Sequence, residues 1–172
     1  MPITTEILCK LSVNTSPGNS TAQANPNNSL GGYMSSTQMT AATLNNLFDD
    51  VSGDENAASE AEYRCIFFHN SHGSLALESP KIWIQSETAG GANTAIALAG
   101  QGVVSATQAG TPQADVIADE NTAPSGESFS SPTTKTGGLA PANIPAGSCI
   151  GVWVRRTAAN TGALALDGAV IR

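Results

Sequence analysis

The sequence predicts an all-β fold: an antiparallel β-sandwich of Greek-key or jelly-roll type, with one short helix and a long polar N-terminal loop or arm. Three observations predict it. Most of the aromatic residues gather in the apolar runs Tyr63-Arg64-Cys65-Ile66-Phe67-Phe68-His69-Asn70, Cys149-Ile150-Gly151-Val152-Trp153-Val154-Arg155-Arg156 and Lys81-Ile82-Trp83-Ile84. Short runs rich in β-branched and aromatic residues read as strands. Around them the chain is Ser, Thr, Ala, Gly and Asn, punctuated by Gly73, Pro80, Gly90-Gly91, Pro124, Gly137-Gly138, Pro141, Pro145, Gly162 and Gly168. These residues break strands by setting φ or by removing a donor. The breaks are unequally spaced and no repeat is visible, which favours a sandwich over a propeller.

Taken in order, residues 7–13 alternate. Ile7, Cys9, Leu11 and Val13 share one face, with Leu8, Lys10 and Ser12 opposite, as in a half-buried strand. Residues 14–32 are too polar to hold a core and read as a surface loop or an extended arm. Leu44, Leu47, Phe48 and Val51 fall at i, i+3, i+4 and i+7, so the spacing predicts a helix over 39–51, capped by Thr37 or Thr40 and stopped at Gly53. Its acidic C-terminal end opposes the helix dipole, so it should be short and held by packing. Strands are then expected at 63–69, 75–77, 81–85, 95–99, 115–118, 149–157, 163–166 and 169–172, the last appearing mid-strand at Arg172. Residues 100–142 carry few large apolar side chains and read as a loop excursion or weak edge strands.

The chain of 172 residues suits a single domain, residues 1–172. Charged residues make up 12%, about half the usual share, so hydroxyls and amides must carry solubility. With 14 acidic residues against 7 basic ones, the net charge of −7 argues against nucleic acid and against an anionic membrane surface. No apolar run is long enough for a spanning helix, and no secretory signal is visible. Cys9, Cys65 and Cys149 lie far apart in odd number, fit no disulfide framework or zinc motif, and read as small buried hydrophobes of a chain made in a reducing compartment, although one pair could meet across the sandwich.

Chemistry is sparse. His69 and His72 sit at a strand end without nearby further ligands and read as turn residues. Asp49, Asp50, Asp54 and Glu55 do not place oxygens at EF-hand positions, so they read as a solvated acidic turn, as do Asp119 and Glu120. Gly90-Gly91 and Gly137-Gly138 are turn glycines rather than phosphate loops. No nucleophile motif appears, and no cofactor or metal is expected. Asn14, Asn19 and Asn27 begin glycosylation sequons, read as chance matches in an Asn- and Ser-rich segment. Arg155 and Arg156 leave a core strand on opposite faces. They read as the solvated rim of the sheet or as anchors for acidic groups on a neighbouring subunit.

One resemblance spans most of the chain. Ser29-Leu30-Gly31-Gly32, residues 45–55, residues 62–70, residues 123–129, and Asn143-Ile144-Pro145-Ala146-Gly147 running into Trp153-Val154-Arg155-Arg156 together resemble a group of virion structural proteins of tailed bacteriophages. The resemblance implies a non-enzymatic β-sandwich made in the host bacterial cytoplasm and carried in many copies on the virion. The expected role is capsid decoration, a cement protein bridging the head lattice as a homo-oligomer bound to the major capsid protein or other virion proteins. Interface residues are then expected in the 14–32 segment, namely Asn19, Asn25 and Asn28, and at Arg155 and Arg156. A tail, neck or fibre position is the alternative. A glycan-binding module, with Trp83, Trp153 and Tyr63 as a stacking platform, is a third expectation, set against burial of those rings in the core.

Overall fold

The computed structural model describes residues 4–162 and 167–172. Its strands are β1 (Ile7–Val13), β2 (Gly31–Gln38), β3 (Ala61–Asn70), β4 (Ile84–Glu87), β5 (Asn93–Ser105), β6 (Ala114–Val116), β7 (Ser148–Thr157) and β8 (Ala169–Ile171), with one short helix, α1 (Gly53–Ala58). Six strands form one antiparallel sheet in the order β5-β7-β3-β1-β2-β6, and β4 pairs with β8 in a second. The all-β expectation holds. The strand order is not sequential: the β2–β3 connection steps over β1, and β6 crosses to the edge opposite β5. The large sheet curls until its edges meet, where Gln101 Nε2 donates to Asp115 Oδ1 at 2.6 Å.

The curl gives the large sheet two dry faces. Met34, Cys65, Phe67, Ala97, Ala99, Ala114, Cys149 and Trp153 fill the concave side. Leu11, Ile66, Ile96, Val152 and Val154 form the convex side, covered by Leu47, Ile82 and Ile84. This explains why β3 and β7 read as continuous apolar runs rather than alternating ones. It also corrects the expectation for β1. That strand is not half-buried in the usual sense, because Lys10 and Ser12 on its polar side point into the concave core and are buried. Across the core, β7 passes so close to its neighbours at Gly151 that a Cβ there would lie 2.9 Å from Ala99 Cβ.

Several elements differ from the sequence reading for identifiable reasons. The helix expected over 39–51 does not form. Leu44 is 63% exposed, Leu47 is buried, and Asn46 Nδ2 donates to Thr40 O at 2.8 Å, so the apparent stripe is divided among turns. The helix begins instead after Ser52, whose hydroxyl accepts from Glu55 N while Glu55 Oε2 accepts from Ser52 N. This capping box puts Asp54 and Glu55 in the first turn, where the dipole favours them. Gly53 therefore opens a helix rather than closing one.

Strand β2 was not expected. It starts inside the polar segment at Gly31 and Gly32, whose φ values of +89° and +88° only glycine adopts readily, and a Cβ at Gly31 would lie 1.7 Å from Asp115 O. β5 runs on to Ser105 because a register shift between Leu98 and Val103 absorbs its glycines. The strand expected at 75–77 is reduced to a bridge between Leu77 and Ile144, and the one at 163–166 lies outside the described residues.

Candidate functional site

Two polar clusters are built into the large sheet, one on each face. On the convex face, cross-strand register sets Glu62 directly opposite Arg156, with Arg64 two residues along on the same side. Loops add Phe48, Asp49 and Glu120. Arg64 is 0% exposed. Its guanidinium pairs with Glu120, lies 3.9 Å from Glu62 Oε1 and 4.0 Å from Asp49 Oδ1, and donates to Tyr63 O at 3.2 Å. Arg156 grips Glu62 through Nε at 2.7 Å and through Nη2, and its Nη1 donates to the Asp49 carbonyl. Both guanidiniums stand over the Phe48 ring, at 5.2 Å and 4.8 Å from its centroid.

Asp49, Glu62 and Glu120 bring carboxylate oxygens within 4.8 Å of one another, a spacing that would suit a cation. Here two guanidiniums are interleaved among the three carboxylates and already offset most of their charge. Burial pushes the Glu62 carboxyl up from its usual range, and the hydrogen bonds and charge of Arg156 pull it back. The arrangement locks β3, β7 and two distant loops together. Sequence reasoning had read Asp49 and Glu120 as solvated turns, and neither carries a local signal for its partner.

On the concave face, Lys10, His69 and Cys149 stand in a row. Lys10 pairs in register with Phe67, and His69 with both Leu8 and Cys149. Lys10 and His69 are 6% and 8% exposed. Lys10 Nζ donates to Asn19 Oδ1 at 2.5 Å, and His69 Nδ1 is buried with no hydrogen-bond partner among the described residues. Burial lowers the Lys10 pKa, and burial followed by the charge of Lys10 lowers that of His69. Burial pushes the Cys149 thiol up to about 12, so it is not an activated nucleophile. Beside it, the Gln113 amide accepts from Met34 N at 2.6 Å and donates to Ser105 O at 2.6 Å and to Cys149 Sγ at 3.6 Å.

The remaining expected residues fall as follows. The 14–32 segment is a folded loop: Gly18 N donates to Gln108 O at 2.8 Å, Asn19 N to Met34 O at 2.6 Å and Gln23 N to Thr37 Oγ1 at 2.9 Å. Asn25 caps a short 3-10 turn by accepting from Asn27 N, and Asn28 N closes that turn on Asn25 O. Arg155 stacks on Phe129 at 5.4 Å, whereas Arg156 is engaged within the chain. His72 Nδ1 accepts from Ser74 N and Leu75 N at 2.9 Å, an ordinary turn role. Trp153 and Tyr63 lie in the core and Trp83 is half-buried, so these rings form no exposed platform. The three cysteines are free thiols.

The described residues line surface hollows of modest size. One of about 220 Å³ lies between Leu11, Pro26, Met39 and Leu44. An apolar one of about 120 Å³ lies between Ile7, Phe68, Leu77 and Ile144. Both are smaller than pockets that enclose a drug-sized ligand, roughly 300 Å³ or more. Compared with protein-family models, curated proteins and solved structures, the chain matches none of them.

Proposed function

We propose that this chain is a non-enzymatic virion structural protein that works through its outer surface, as a capsid decoration protein on the head lattice of a tailed bacteriophage. One observation supports a structural role most strongly. The charged side chains of the convex cluster, Arg64, Arg156, Glu62, Asp49 and Glu120, are engaged with one another and bind strands to loops. What faces outward over long stretches is Ser, Thr, Asn and Gly on hydrogen-bonded loops. Such a surface suits many small, repeated contacts on a lattice. The succession of segments resembling virion proteins supplies the setting.

The test is binding of the purified chain to head shells assembled from the major capsid protein of a phage whose genome encodes it. Stoichiometric co-sedimentation and a raised shell melting temperature are expected. Failure to bind shells, together with binding to purified tails, would move the role to the tail or neck. Binding to neither would overturn the reading.

A further inference from the structure

We propose that Lys10 and Asn19 are the two halves of a self-forming isopeptide bond, a covalent modification that would staple the 14–30 loop to β1. The geometry comes first. Lys10 Nζ lies 2.5 Å from Asn19 Oδ1, so the side-chain carbonyl carbon is one bond beyond the atom the amine already touches. Both partners are held in place. Lys10 sits inside the β1 ladder, between β2 and β3. Asn19 adopts a left-handed backbone, φ 60°, fixed by its N–H on Met34 O and by the adjoining Gly18 N–H on Gln108 O. Gly18 is wedged so closely against Ala106 O and the Gln113 amide that a Cβ there would lie 2.4 Å from that carbonyl. Two reactants fixed in contact react as one molecule, which removes much of the entropic part of the barrier.

The surroundings supply the remaining requirements. A lysine attacks only as the neutral amine, and a buried amine in an apolar environment is more readily neutral. Lys10 is such an amine. The nearby His69 lies diagonally across the β1–β3 ladder on the same concave face, and burial followed by the charge of Lys10 keeps its own pKa low. His69 is buried, and its Nδ1 has no hydrogen-bond partner among the described residues, so it is available to hold a proton. Cys149, whose negative charge would raise the Lys10 pKa, is itself pushed up by burial to about 12 and so remains a thiol at neutral pH.

The step balances without a co-reactant. Neutral Nζ attacks Cγ of Asn19 and the Nζ–Cγ bond forms. The proton shed by Nζ passes by way of His69 to Nδ2. The Cγ–Nδ2 bond then breaks and Nδ2 leaves as ammonia. The product is a secondary amide joining Lys10 to Asn19.

Intact mass and tandem mass spectrometry of the purified full chain test this, after incubation at neutral pH. The wild-type chain should be one ammonia lighter than its sequence mass. Trypsin should fail to cut after Lys10, and a branched peptide should join the Lys10 and Asn19 segments. Lys10→Arg should keep the full mass, and His69→Gln should slow conversion by about a hundredfold or more, the usual range for a lost proton carrier. A wild-type chain that stays at full mass overturns the proposal. So does an ammonia loss that persists in Lys10→Arg, because that marks a succinimide at an asparagine. The branched peptide is read on the wild-type chain, so the test stands even where a variant fails to fold.

Discussion

Replacing Arg64 with methionine probes the convex cluster most sharply. Methionine fills similar volume and keeps contact with Phe48, so the change removes charge more than packing. Arg64 is wholly buried, and its loss removes the ion pair of Glu120 and leaves Glu62 and Asp49 on the single guanidinium of Arg156. Each carboxylate about 4 Å from a guanidinium is worth roughly 4 kcal/mol before desolvation at an effective dielectric of 20. Asp49 is 49% and Glu120 34% exposed, so water screens much of that attraction. Glu62 is 4% exposed and is the group left most costly. Removing one partner of a buried ion pair costs about 3–5 kcal/mol, and the screening places this variant near 3. For a domain of this size that corresponds to a melting temperature lower by about 6–12 °C. The assay is equilibrium urea unfolding with thermal melts alongside. Adding Glu120→Gln should recover part of the loss, giving a favourable coupling energy in the double-mutant cycle. A loss under about 1 kcal/mol for Arg64→Met, or a coupling near zero, would refute the account of this cluster.

Other predictions follow from the same structure. Ser52→Ala breaks the capping box and should cost about 1 kcal/mol. The Glu55 carboxyl is held low chiefly by the Ser52 backbone N–H, which the substitution keeps, and further by the Ser52 hydroxyl, so its pKa should rise only by the hydroxyl's share, as read by carbon-detected NMR titration. His69 has a lowered pKa in the fold, so the unfolded chain binds its proton first as pH falls. That contribution to stability is present above the ordinary histidine range and is lost as pH falls through the lowered value. His69→Gln should flatten this slope in pH-dependent urea melts. Cys9 and Cys149 are raised by burial to about 12, from 9.0. Native-state alkylation should therefore be slower than in urea by on the order of a thousandfold, and fast native labelling would contradict their placement.

The parts of the fold legible in the sequence were those whose burial is symmetrical. β3 and β7 lie mid-sheet with apolar cover on both faces, so their apolar runs announced them. β2 was hidden because its start, Gly31-Gly32, resembles a loop and is in fact a bulge closing against Asp115. The helix was misplaced because the spacing of Leu44, Leu47, Phe48 and Val51 mimics a helical stripe, while the deciding pair, Ser52 and Glu55, lies just beyond it. For the clusters, alternation could place Glu62, Arg64 and Arg156 on one face. It could not bring Asp49 and Glu120 to them, since those arrive on loops distant in sequence. Lys10 was read on the polar side of its strand, which was right. Only the curl of the sheet turns that side inward and sets its amine against Asn19.

The most direct measurement of the central claim is the copy number of this chain relative to the major capsid protein, by quantitative mass spectrometry of purified phage particles. The account predicts a ratio near one, or a simple fraction of it, as lattice decoration requires. A handful of copies per particle would assign the chain to the tail or neck instead. Absence from particles would contradict the virion reading altogether.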